Sequence, residues 1–480
     1  MKNKFMLIMG GVFLSAFSFA QNETDALRYS QLNFRGTARS AAMSGAFGAL
    51  GGDFSVLSTN PAGIAIYRKS EFTFTPGFFS QKTTSNFKDN QLDDYKYNVN
   101  FSNAGIVLAY YEPETKKAWK GIMFGFGYNR LNNFNQRISM TGKNSDNSLL
   151  DVYLSDATNS GGDTSAMDPF GTQLALNTLA IWRDSASGNF YHHMQGSYGE
   201  EQSKQITSSG SMGETIFTLG GNYDDKLYMG MTIGIPHIRY DEESNYTETA
   251  DTNALNGFKS FELNQDLKTT GTGFNFKFGM IYKPNDIVRI GGAFHSPSYF
   301  QMHDDWNSNM TTHFSNPTES FTSTSPQGTF DYSLVTPMRA IGSIGFVINK
   351  MGLIGAEYEF VDYPSASLSS SKYKYLNENK AIRNNYIEGN NFRIGTEWKL
   401  QPMSIRAGAA YYSSPYKAGG GSRMDYSAGI GFRDENFFLD FAYVFSQSSQ
   451  NYYFYDSSKT SPSSNDSNSS SVLMTLGFKF

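Results

Sequence analysis

The chain has 480 residues, a net charge of −5, no cysteine, and 17% charged against 15% aromatic residues. That excludes disulfides, thiolate metal sites and a cysteine nucleophile, and so small a charge argues against a nucleic-acid partner. The charged fraction lies below the usual quarter, while 40 Phe and 30 Tyr supply material for aromatic girdles at two membrane interfaces.

Residues 1–20 carry Lys2 and Lys4, then an apolar run from Phe5 to Phe19, then Ser18-Phe19-Ala20 before Gln21. This is the pattern of a secretory signal peptide cleaved after Ala20. No apolar run of 18 residues follows, so helical membrane spans are not expected. Residues 21–69 are rich in small side chains and lack strand character. Short helices are predicted at 37–48 and 53–58, with Asn60-Pro61-Ala62 as a helix stop, because proline disfavours helical dihedrals in the residue before it.

From residue 70 onward, fourteen amphipathic strands are predicted: 70–80, 100–111, 119–140, 212–222, 226–240, 270–283, 286–298, 336–348, 351–362, 390–400, 403–413, 423–433, 436–447 and 470–480. The alternation is direct. Leu227, Met229, Met231, Ile233 and Ile235 take one face of their strand; Tyr228, Gly230, Thr232 and Gly234 take the other. The apolar faces carry almost no charge. The opposite faces carry Lys277, Arg289, Arg339, Glu357, Glu359, Arg393, Glu397, Arg406, Asp425, Arg433 and Asp440.

The connections alternate short and long. Short turns include 222–225, 283–286, 401–402 and 433–435, several with the Pro, Asn and Asp that preset turn dihedrals. Long loops are expected at 81–99, 141–211, 241–269, 299–335, 363–389, 414–422 and 448–469, the last a mobile Ser/Asn-rich loop. Tight turns on one side and long loops on the other are the habit of a transmembrane β-barrel. The fold class expected is therefore all-β: a transmembrane antiparallel barrel of fourteen strands, residues 70–480, with the lumen plugged by an N-terminal helical hatch, residues 21–69. A barrel of that size would otherwise leave a wide aqueous hole. An even strand number puts both chain ends on the short-turn side, the periplasm.

The loop 141–211 holds two helix-like stretches. One places Leu149, Leu150, Tyr153 and Leu154 together. In the other, Asp168-Pro169 reads as an N-cap with proline at the first helical position, followed by Phe170, Leu174, Leu179 and Trp182 on an apolar surface. These residues either pack on each other as a lid or form a groove that captures an apolar ligand.

Ser44-Gly45-Ala46, Asp53 and Asn60-Pro61-Ala62-Gly63, placed just before the first strand, resemble the hatch of the FadL/TodX outer-membrane transporters. The likeness in sequence spans about residues 34–72. It implies uptake of hydrophobic small molecules such as long-chain fatty acids, captured at the outer loops, passed to a lumenal pocket and released sideways by passive hatch movement. It also implies a monomer in the bacterial outer membrane, among lipid and lipopolysaccharide, with no cofactor. Family members use a kinked third strand as the exit. Here Gly125 and Gly127 are the candidate bend, or they simply make room for the hatch. Arg289, Arg339, Arg393 and Arg406 either hold a carboxylate headgroup or pair with lumenal carboxylates. No Gly-x-Ser-x-Gly, Walker or His-Glu-x-x-His motif occurs, and no metal site is expected. A barrel lipase would need a Ser–His pair on one wall, and adjacent residues such as His295 and Ser296 face opposite sides. The alternative function is an interaction barrel serving a secretion or surface-assembly machine.

Overall fold

The computed structural model describes residues 22–251, 254–315, 317–349, 351–455 and 459–480; the expected signal peptide lies outside them. Fourteen staves close into an antiparallel barrel. We number them β1 (Glu71–Phe87), β2 (Asn90–Tyr111), β3 (Trp119–Asn133, resumed as Gln136–Asn144), β4 (Glu200–Tyr223), β5 (Leu227–Thr249), β6 (Phe258–Tyr282), β7 (Val288–His295), β8 (Arg339–Ile348), β9 (Gly352–Val361), β10 (Gly389–Leu400), β11 (Met403–Tyr412), β12 (Arg423–Arg433), β13 (Phe437–Tyr452) and β14 (Ser463–Lys479). The ring closes where Glu71 pairs with Lys479 and, further along the same ladder, Asn86 pairs with Ser464. Closure removes the sheet edges that lipid could not satisfy.

Period-two patterning sets the two faces. Leu219, Met231, Phe278 and Phe294 lie side by side across β4–β7 and are all exposed. Their inward neighbours are buried. An exposed apolar band around a closed barrel is the surface lipid covers. Among the described residues no helix is long and apolar enough to cross a membrane.

Every predicted strand is present, but most stretches expected as long loops are strand. β4, β5 and β6 run for 24, 23 and 25 residues, where crossing a bilayer takes roughly 9–11. The surplus stands outside the lipid as a sheet. Residues 299–335 add Tyr299–Ser315, Thr318–Thr324 and Gly328–Val335 to it. Residues 81–99 form a tight hairpin whose ladder starts at Phe87–Asn90. The Ser/Asn-rich stretch expected to be mobile is paired as Gln447–Asn468 through Tyr452–Ser463. Outside the membrane both faces of a strand can be polar, so the apolar alternation fades while the ladder continues.

The N-terminal segment lies inside the barrel. It comprises α1 (Glu23–Arg28), α2 (Ala38–Ala41) and 3-10 turns Phe54–Ser58 and Pro61–Ile66. The helix expected over 37–48 is only four residues long. It stops because Ser44 and Gly45 take positive φ, 51° and 79°, which turns the chain across the lumen. In the long loop between β3 and β4, α3 (Leu149–Asn159) matches expectation, with Ser148 and Asp151 forming a capping box. The second helix differs. Asp168 accepts the Phe170 N–H in a turn, and α4 begins only at Thr172 and ends at Asn177. Leu179 has φ 61° and ends the run, so Trp182 falls in a short hairpin, Ile181–Arg183 with Phe190–His192.

Candidate functional site: the hatch, the lumen and a break in the wall

The Asn-Pro-Ala-Gly motif is seated in a notch of glycines. Gly220, Gly230 and Gly279 are directly opposite one another across β4, β5 and β6. A Cβ on Gly279 would stand 1.9 Å from Asn60 Oδ1, and one on Gly230 2.3 Å from the Pro61 carbonyl oxygen. Only glycine admits so close a backbone approach. Asn60 then works in three directions. Its Oδ1 accepts the Ala62 N–H at 3.2 Å, and its Nδ2 donates to the carbonyls of Gly48 at 2.7 Å and Met280, in the wall, at 3.3 Å. Pro61, Ala62 and Gly63 are buried behind it. Asp53 joins two hatch segments, accepting from the Thr37 hydroxyl at 2.8 Å and the Ser55 N–H at 2.9 Å. A second row, Gly345, Gly355, Gly395 and Gly408, crosses β8–β11 and receives Leu50, Ala46 and Met43. Glycines recurring at lumen parity in consecutive strands were the sequence signal for both rows.

Buried ion pairs pin the hatch. Arg39 donates to both oxygens of Glu397, at 2.7 and 2.9 Å. Arg406 donates to the same carboxylate at 2.6 Å and to Asp440 at 2.7 Å. Glu357 accepts the Gly48 N–H at 3.0 Å and pairs with Arg393, which also reaches Glu359. Glu214, paired with Lys277, accepts the Ser58 hydroxyl at 3.1 Å. Of the other candidate headgroup contacts, Arg339 pairs with Glu359 and donates to the Ser30 carbonyl, and Arg289 donates to the Leu50 carbonyl. The four arginines do not converge on one point; each is engaged by a carboxylate or by the hatch backbone.

Above the pinned body the lumen holds an apolar cluster beside buried polar groups. Ile238, Tyr240, Phe300, Met302 and Leu334 form a buried cluster with Ala26, Leu27 and Tyr29 of the first hatch residues. A cavity of about 40 Å³ remains beneath this cluster, with Tyr29, Met212 and Phe300 on one side and Glu214, Lys277, His295 and Arg339 on the other. That is space for water-sized groups only, so Tyr29 and its neighbours occupy the room that an apolar chain would need.

The loop candidates form a lid. Leu149, Leu150, Tyr153 and Leu174 are buried in one cluster with Phe87, Phe261 and Phe454, with Leu154 packed against it. Phe170 meets Trp306 at 5.5 Å between ring centres, Trp182 meets His193 at 4.6 Å, and Leu179 is exposed. The structure thus gathers five of the eight candidates into a core and leaves Phe170, Leu179 and Trp182 at its margin.

One carboxylate holds the lid to the wall. Glu248, near the long-loop end of β5 and fully buried, accepts the Leu149 N–H at 2.8 Å, the Gln202 amide at 3.0 Å and the Ser148 and Tyr246 hydroxyls. Burial, reinforced by the Glu200 charge, pushes its carboxyl up to about 7. A folded-state value raised above the unfolded one gives stability that is full below the unfolded value and is lost as pH rises through about 7. The lid should therefore loosen between pH 5 and 8, by roughly 3 kcal/mol at most. Proteolysis within 145–199 should accelerate several-fold over that interval, and Glu248→Gln should flatten the dependence. An unchanged pH response in the variant would assign it to other groups.

The wall itself is interrupted. β2 pairs with β3 only from Asn103–Asn129 to Tyr111–Gly121. Residues 90–102 of β2 pair with β1 alone, whereas β3 shifts register between Arg130 and Asn132, breaks at Phe134 and Asn135, and resumes on β4. Gly125 and Gly127 precede this break, in continuous ladder. Cβ atoms there would meet Leu57 at 2.5 Å and Phe54 at 2.6 Å, so both positions face the hatch. At the break a cavity runs between Asn33 and Arg35 inside and Phe78, exposed on the lipid face.

A profile of the family described as outer membrane protein transport protein (OMPP1/FadL/TodX) matches residues 214–480, more than half of the chain. Among solved structures, a Pseudomonas aeruginosa FadL homologue is 13% identical with a TM-score of 0.55, covering 94% of this chain and 99% of its own. The Pseudomonas putida toluene transporter TodX is 10% identical with a TM-score of 0.53, covering 93% and 99%. At these identities the structural likeness speaks for the fold. A search of curated protein sequences found no match.

Proposed function

Since this chain belongs to the OMPP1/FadL/TodX family of outer-membrane transport proteins, we propose that it takes up hydrophobic small molecules, long-chain fatty acids among them, and releases them sideways through the wall. The observation that carries the reading is the lumen. Aqueous porin lumens are polar; this one, above the pinned hatch, is lined by Ile238, Phe300, Met302 and Leu334. An apolar molecule entering beneath the lid would meet Ile238, Phe300 and Met302 down to Tyr29, and would leave by way of the separate cavity at the β2–β3 break, which borders lipid-facing Phe78. The moving part of the hatch is residues 22–36, which fill this route. Residues 37–69 stay seated in the glycine rows, held by the Arg39–Glu397 pair and the hydrogen bonds of Gly48 and Ser58 to Glu357 and Glu214, whereas movement of 22–36 must break the Arg35–Asp425 pair. Movement is passive.

Leu149, Leu150, Tyr153, Leu154, Phe170, Leu174, Leu179 and Trp182 serve this reading as a lid whose margin, with Leu179 exposed, first meets the ligand. One neighbour's name, toluene transporter, extends the ligand class to aromatic hydrocarbons. Saturable uptake of a labelled apolar compound by cells that carry the chain tests the proposal.

A further inference from the structure

A guanidinium stands at the break in the wall without a counter-charge. Arg130 follows Tyr128 on the outer parity of β3, and Tyr128 packs on Phe101 of β2 at 5.1 Å, beside exposed Phe78 and Val99. Arg130 is therefore level with the apolar band. It is half-buried, its Nε has no hydrogen-bond partner, and it forms no ion pair among the described residues. This separates it from Arg339, Arg393 and Arg406, whose carboxylates are at hand. An ionised side chain at membrane depth is costly, and persists where it lines a functional path. Here it lines the cavity at the break, together with Asn33, whose buried Oδ1 also lacks a partner, and with Asn100, Ser102 and Asn133.

We infer that Arg130 is a specificity-determining residue at the lateral exit, binding the carboxylate headgroup of an anionic amphiphile while its chain leaves over Phe78, Val99 and Phe101. The inference rests on the sideways-release reading above. The chemistry is that of a charge-assisted pair at the one end of the ligand that cannot enter lipid unaided. Asn33 and Asn133 supply amide groups to the rest of the headgroup. A neutral hydrocarbon passes the same break without using Arg130, so the residue divides the family's ligand range by headgroup charge.

The test compares palmitate with its methyl ester, both labelled, in uptake by cells and in binding to detergent-purified protein freed of lipopolysaccharide. Arg130→Gln should lower palmitate uptake and binding about ten-fold, the loss of roughly 1.4 kcal/mol, and leave the ester unchanged. Arg130→Lys should restore most of the difference. Equal loss for acid and ester, or no loss for either, overturns the assignment. A palmitate defect seen in cells and absent from purified protein also overturns it, because Arg130 would then hold a lipopolysaccharide phosphate. A parent chain that takes up neither compound would instead defeat the transport reading itself.

Discussion

A chain carrying Glu397→Ala is expected to open ion-conducting steps in planar bilayers that the parent lacks. Glu397 is fully buried and is shared by Arg39 of the hatch and Arg406 of the wall. Removing it takes a partner from two guanidiniums, and the loss of one partner from a buried ionic group costs about 3–5 kcal/mol. Arg406 keeps Asp440; Arg39 keeps only the Gly52 carbonyl among its hydrogen bonds to the hatch. The strain therefore falls on the hatch side, and the hatch body should leave its glycine rows for part of the time. What lies beneath is the bore of a fourteen-stave barrel, wide enough to conduct. Arg68→Ala serves as the contrast. Its pair with Asp225 is exposed on both sides, and such pairs contribute about 0–1 kcal/mol, so conductance should not change. Silent bilayers for Glu397→Ala would mean that the glycine seats alone hold the plug.

The second large effect concerns residues 22–36, the part of the hatch proposed to move. Tyr29 is almost fully buried, with edge-to-face contacts to Phe134 at 5.9 Å and Tyr240 at 6.2 Å. Tyr29→Ala removes the ring that fills the apolar lumen. A buried aromatic cut to alanine loses about 3–5 kcal/mol of packing. That loss falls on the closed state only, since the displaced segment buries no ring there. A ligand that binds only after displacement gains affinity by the fraction of competent protein released. Binding of a labelled apolar compound to purified Tyr29→Ala should tighten at least ten-fold. Weaker binding would show that Tyr29 is a wall of the ligand site and does not compete with the ligand.

How much of this was legible in the residues depended on whether one face met lipid. Leu227 through Ile235 announced a stave because lipid demands an apolar side chain at every second position. Ser463 through Ser469 did not, since water and polar neighbours cover both faces there; its strand exists because β1 and β13 offer ladders on either side. The hatch motif was legible, but its seat was spread over three strands as Gly220, Gly230 and Gly279. The pairing of lumenal charges was half legible. The Gln401-Pro402 turn sets Leu400 opposite Met403, and counting back places Glu397 opposite Arg406. Arg39 could not be found that way, because no ladder links the hatch to the wall. The two readings of Gly125 and Gly127, a bend or room for the hatch, could not be separated in sequence for a related reason. Both positions admit hatch side chains, Leu57 and Phe54, and the ladder is interrupted further on, with a register shift between Arg130 and Asn132 and a gap at Phe134 and Asn135.

On the proposed reading, apolar molecules cross the outer membrane through this barrel while small ions do not. The most direct measurement is uptake of labelled palmitate by cells lacking other channels of this family, with and without the chain, alongside planar-bilayer conductance of the same purified protein. Saturable, chain-dependent palmitate uptake with negligible conductance is the expected result. Conductance without palmitate uptake, or neither, would contradict the claim and turn attention to an interaction barrel.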